Sequence, residues 1–162
     1  TDHILQLFKE DVAKDGAMVE TFCQALVDGN ANRIEQLFTE YLTKTISVRD
    51  TFVRKPVKEN FYHGILLGIL SYKGGWYVTS NRESGDGFSD IMVRIDDEDV
   101  GIIIEVKYAE NGKEEEMSRK ALLQIHEKHY EKVLLDEDIH KVMNYGIACN
   151  KKKCKVSMEI SE

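Results

Sequence analysis

An α/β fold with a mixed central β-sheet flanked by helices, preceded by a helical extension, is the architecture this sequence predicts, and three observations carry it. Two apolar runs, 90–95 and 100–108, flank the acidic stretch DDED, as two antiparallel strands joined by a short turn would. The amphipathic segment 113–135 leads into another apolar run, 141–149, and strand, helix, strand in that order implies a right-handed parallel crossover. Ahead of these stand three short segments with helical rather than strand periodicity.

The extension comes first. Ile4, Leu5, Phe8 and Val12 recur at helical intervals over 3–14, and Met18, Phe22, Cys23 and Leu26 do so over 17–27. Asp28, Gly29 and Asn30 punctuate the chain, and a third helix follows with Ile34, Leu37, Phe38, Tyr41 and Leu42. Helices this short, joined this tightly, are expected to pack on a larger body, so the chain divides into an extension over 1–56 and a core over 57–162. After Pro56 a helix over 57–72 places Glu59 in its first turn, where the helix dipole favours a carboxylate. Lys73, Gly74 and Gly75 end it, and 76–81 reads as a strand rich in aromatic and branched residues. Residues 82–89 form a glycine-punctuated bend.

In the next strand Ile91, Val93 and Ile95 share one face. The run 100–108 is apolar almost without break up to Glu105, as a central strand covered on both sides is. Segment 113–135 reads as one long charged helix with Met117, Ala121, Leu122, Ile125, Tyr130, Val133 and Leu134 turned inward. A turn over 150–152 returns the chain as a last strand, 153–160.

Composition sets limits on function. The 162 residues, 42% hydrophobic and 31% charged, suit one soluble domain with a real core. No apolar run approaches the roughly 18 residues of a membrane span, and no signal peptide opens the chain. Cys23, Cys149 and Cys154 are odd in number and lack CxxC spacing, which excludes a disulfide framework or zinc ribbon and fits a reducing cytoplasm. A net charge of −7 argues against tight, sequence-indifferent DNA binding by bulk charge, so any nucleic acid contact must use a local basic surface, metal ions or a partner domain. The chain opens on Thr1 rather than Met, as a piece cut from a longer polypeptide would.

Candidate chemistry concentrates between Ser84 and Lys107. Asp90 stands at the mouth of one strand, and Glu105 and Lys107 stand two apart on the next, so their side chains leave the same face. Two acids and an ammonium at one end of a sheet suit an ion such as Mg²⁺, which takes one or two carboxylates and fills its octahedron with water and phosphate oxygens. A lysine beside two acids is expected to stay protonated and to stabilise charge rather than abstract protons. An ExK pair alone is commonplace in so charged a chain.

The wider pattern is more specific. ENFYHGILLGIL, SNRESGDGFSD, IIIEVKY and ALLQIHEKHY occur in that order on a helix, a strand and bend, a strand and a helix. Together they resemble the PD-(D/E)XK nuclease superfamily, in the form found at the C-terminus of bacterial AAA-ATPase-like proteins. The resemblance covers about residue 58 to the C-terminus and implies a restriction-endonuclease-like core that hydrolyses phosphodiester bonds of nucleic acid, DNA foremost, with Mg²⁺ or Mn²⁺. It further implies an upstream AAA-ATPase-like domain in the same polypeptide. By position, Asp90 and Glu105 are the metal-binding acids, and Lys107 is the lysine that orients the attacking water and offsets charge on phosphorus. Glu59 is the acid of the first core helix that helps hold metal or water, and Gln124 is a polar residue of the second core helix facing the same pocket. Lys128, one turn later, is placed to contact a phosphate. The sequence departs from the pattern just before Asp90, where related chains carry Gly-Arg and this one reads Gly87-Phe88 or Phe88-Ser89. A catalytically inactive module that keeps the fold and serves the upstream domain is the alternative.

The remaining signals are weaker. His126 and His129 lie three apart and miss HExxH spacing, so a charged face is expected in place of a zinc site. His63 reads as a buried, hydrogen-bonded histidine, and Trp76 and Tyr130 as core. Glu83 could enter the pocket or pair with Arg82. Lys151, Lys152, Lys153 and Lys155 cluster at a turn, by default a solvated tip and in the minority reading a phosphate contact. Walker A, GxSxG and dinucleotide fingerprints are absent.

Overall fold

The computed structural model describes residues 16–45, 55–82, 89–95 and 98–162. The expected helix over 3–14, the bend at 83–88 and with it Glu83, Gly87 and Phe88 lie outside the described residues. Helix α1 (Gly16–Asp28) buries Val19, Phe22, Cys23 and Leu26 along one stripe, and α2 (Ala31–Thr45) buries Ile34, Leu37, Phe38, Tyr41 and Leu42. Between them Gly29 takes φ 72, and the Asn30 side-chain oxygen accepts the Arg33 N–H at 3.1 Å, capping α2.

Helix α3 (Lys55–Ser71) starts two residues earlier than the expected 57. Pro56 falls inside its first turn, where a missing N–H is harmless. Glu59 therefore sits beyond the first turn, and the dipole argument for it fails.

The sheet runs in the order β1 (Trp76–Arg82), β2 (Ser89–Ile95), β3 (Val100–Tyr108), β4 (Lys141–Asn150), β5 (Lys153–Ser161). Only β3 and β4 are parallel; the other neighbours are antiparallel, so the sheet is mixed as expected. Every residue of β3 from Gly101 to Tyr108 is buried, consistent with its central place. One face carries Ile91, Val93, Ile102, Ile104, Tyr145 and Ile147, packed with α1, α2 and α3. The opposite face carries Met92, Ile103 and Val142 beneath Leu122, Ile125 and Leu134.

The segment read as a single helix over 113–135 is two: α4 (Glu114–Glu127) and α5 (Tyr130–Leu135). The break falls at His129, whose φ of 57 is left-handed. No glycine or proline marks it, which is why periodicity ran straight through. The turn lets Leu134 fold back onto Ile103 and Val142.

Candidate active site

Strand parity sets the site. Asp90 pairs with Glu105 across β2 and β3, so the two carboxylates leave one face as cross-strand neighbours, and Lys107 follows two residues on. All three are buried, with Asp90 and Glu105 at 0% exposure. Among the described residues the β2–β3 pairing ends at Asp90 and Glu105. The Ala109 N–H goes to Cys149 on β4 at 2.9 Å, so the N–H of Tyr108 points to the opposite side. Glu59 of α3 stands there, and its carboxylate accepts the Tyr108 N–H at 3.3 Å.

The second core helix closes the site from above. Glu105 pairs with Gly146 of β4, and at Gly146 the backbone of α4 comes close enough that a Cβ would lie 2.1 Å from Ser118 O. Lys128, which caps α4, thereby reaches both acids, with Nζ 3.8 Å from Asp90 Oδ2 and 3.7 Å from Glu105 Oε1. Lys107 Nζ lies 3.9 Å from the same Glu105 oxygen. These are ion-pair distances rather than hydrogen bonds, and both Glu105 oxygens are buried and accept no hydrogen bond among the described residues. Gln124, one turn before Lys128, has a buried amide oxygen that also accepts none among the described residues.

The charge balance explains the titration. Burial pushes the Glu105 carboxyl up, the Asp90 charge pushes it further, and Lys128 and Lys107 only partly offset them, leaving it at about 7. Lys107 moves the other way: burial lowers it, against the pull of Glu105 and Glu59.

These residues fit a hard divalent ion. Two adjacent, buried carboxylates are the donor type that Mg²⁺ or Mn²⁺ takes, and the Glu105 oxygens accept no hydrogen bond among the described residues. Among the described residues no three His, Cys, Asp or Glu side chains form a metal-binding group. Asp90 and Glu105 are the acids set side by side, while Glu59 accepts the Tyr108 N–H and its charge acts on Lys107.

Other candidates resolve differently. His63 is buried and shares a 2.8 Å hydrogen bond with Ser80, as expected. His126 is held between Glu131 and Glu159, which makes it part of a charged face. Trp76 and Tyr130 pack at the core margins. The three cysteines are free and buried, with Cys23 and Cys154 both pushed to about 12, which makes poor nucleophiles. A cleft of about 570 Å³ lies between α2 and β5, lined by Glu35, Thr39, Glu114 and Lys153, apart from the acids. What sequence reasoning missed is that Lys128 bridges both carboxylates. Its spacing four residues after Gln124 was the available signal.

A mixed sheet with an acid on β2 facing an acid-x-lysine on β3, covered by helices on both faces, defines a restriction-endonuclease-like α/β fold. The chain belongs to the PD-(D/E)XK nuclease superfamily, whose family model matches residues 57–159, a span that includes Glu59, Asp90, Glu105, Lys107 and Gln124. No curated protein matches the chain. Among the described residues no helix is long and apolar enough to cross a membrane.

Proposed function

We propose that this domain is a metal-dependent nuclease that hydrolyses phosphodiester bonds of nucleic acid, DNA foremost, with Mg²⁺ or Mn²⁺. The observation that carries this reading is the register pairing of Asp90 with Glu105, which sets two buried carboxylates and Lys107 on one face at the end of β3. A divalent ion held there supplies an acidified water and a Lewis acid for the phosphate. The chain's own residues do the rest. Asp90 and Glu105 hold the ion's charge in place, and their shared burial excludes bulk water. Lys107 faces the phosphate oxygens and offsets charge that builds on them. Glu59 fixes the end of β3 through Tyr108 and keeps a negative charge near Lys107. Gln124 presents its amide to the same space, where it orients water or phosphate.

Incubation with single- and double-stranded DNA and RNA in Mn²⁺ or Mg²⁺ tests this. Cleavage should occur and fall by about 10²-fold or more in Asp90→Asn and Glu105→Gln. Equal cleavage by Asp90→Asn, or none by the native chain on any polymer, would end it. An upstream AAA-ATPase-like partner is supported by the resemblance of the four ordered segments. Reading the coding sequence ahead of Thr1 tests it, and the lack of a nucleotide-binding motif there would remove it.

One observation favours a second reading, a non-catalytic module with the nuclease fold. Lys128 stands within 3.8 Å of both acids and supplies positive charge where a metal would. Calorimetric titration separates the two: folded protein that takes up no Mn²⁺ supports the inactive module.

A further inference from the structure

The basic run at 151–155 finds a place in the fold that its sequence did not reveal. β3 and β4 are parallel, with Tyr108 paired to Cys149, so the β4–β5 turn emerges at the same end of the sheet as Glu105 and Lys107. The turn is two residues long, Lys151 and Lys152, closed by the pairing of Asn150 with Lys153. At the usual strand spacings the Lys151 Cα lies about 10 Å from that of Lys107.

This tip is anchored to the site. The Asn150 amide donates to Ala109 O at 2.7 Å, directly after the end of β3. The Tyr62 hydroxyl, one turn beyond Glu59 on α3, donates to Lys151 O at 2.5 Å. Lys58 of α3 stands at the same end of β3, where its ammonium donates to the Tyr108 hydroxyl at 3.2 Å.

Two features separate the tip from an ordinary solvated turn. Lys151 has φ 52, a left-handed conformation that turn chemistry gives to glycine or asparagine, so a lysine here carries backbone strain. Lys155 is paired with Glu35 at 3.7 Å, whereas Lys151 and Lys152 make no ion pair among the described residues. In a chain of net charge −7, whose site adds two buried acids, a polyanion needs such local positive charge to approach.

We propose that Lys151 and Lys152 form a docking lip for the phosphate backbone of nucleic acid flanking the bond presented to Asp90, Glu105 and Lys107. This rests on the nuclease reading and adds to it a named substrate-holding surface.

The test is fluorescence anisotropy of a labelled oligonucleotide, single- or double-stranded, with the full Asp90→Asn chain between about 50 and 200 mM salt. Adding Lys151→Glu and Lys152→Glu should weaken binding about tenfold or more, and should flatten the log–log salt dependence by about two phosphate contacts at roughly 0.9 each. Lys151→Gly alone should raise the melting temperature by a few degrees through relief of the left-handed strain, yet weaken binding. A purely structural turn would move neither affinity nor salt slope. If the double variant stays folded and binds with parental affinity and slope, the lip is overturned, while cleavage by the native chain leaves the nuclease reading standing. If the Asp90→Asn parent binds no nucleic acid at any salt and the native chain cuts none, both fall together.

Discussion

Glu105 has no exposed surface and a carboxyl at about 7 against an ordinary 4.5, so it ties stability to pH. A raised carboxyl means the folded state holds its proton more tightly than the unfolded state does. Below about pH 4.5 both states are protonated and no penalty exists; above about 7 the penalty of a buried carboxylate is fully felt. Metal-free protein should therefore lose about 3 kcal/mol of stability as pH rises across that window, read by urea unfolding, and Glu105→Gln should remove most of the slope. An unchanged slope in the variant would show that Glu105 is not the group responsible. Lys128 gives a second expectation at this scale. Lys128→Met takes one ammonium from two buried acids, so the metal-free chain should lose about 2 kcal/mol, and calorimetry should find Mn²⁺ bound more tightly. Weaker Mn²⁺ binding would mean that Lys128 helps hold the ion rather than competing with it. The face shared by Glu105 and Lys107 was legible in the sequence because strand parity is a local property, and Asp90 was singled out by the resemblance of the ordered segments. The bond from Tyr108 to Glu59 was not, since it joins a helix and a strand 49 residues apart in the chain.

At the scale of elements, the contact of α4 with β4 positions everything above the acids. Gly146 lies in the same cross-strand row as Asp90 and Glu105, and a Cβ there would meet Ser118 O at 2.1 Å and Leu122 N at 2.7 Å. Both obstacles are backbone, so they cannot rotate away. Gly146→Ala should lift α4, cost about 3 kcal/mol or more by thermal melting, and loosen Lys128 from the acids. A variant with native stability would show that α4 sits higher than described. The sequence marked α4 as amphipathic and placed Gln124 and Lys128 on it, but it hid the break at His129. A left-handed histidine is set by where Leu134 must land, which no neighbouring residue announces.

At the scale of the whole molecule, the helices before Pro56 complete the core of the sheet. Phe22, Leu26, Ile34, Phe38 and Leu42 pack in one cluster with Ile104, Tyr145 and Val156. The Tyr145 hydroxyl donates to Leu26 O at 2.5 Å, and Glu35 of α2 accepts the Val156 N–H of the edge strand at 3.1 Å. The fragment 57–162 should therefore lack a cooperative melting transition or melt far below the full chain, because the sheet face that α1 and α2 cover would keep only α3. A fragment melting with the full chain would show the two parts to be independent.

By itself the sequence determined the kinds of elements, the mixed pairing of the strands, and the face shared by Glu105 and Lys107. Each of these follows from periodicity among near neighbours and from the order of strands and helix. Only the tertiary structure decided that Glu59 meets the end of β3 at Tyr108, that Lys128 hangs between both acids, and that a turn of lysines opens at the same end of the sheet. Those placements depend on register and on how closely one backbone approaches another, and they are set by packing between residues far apart in the chain.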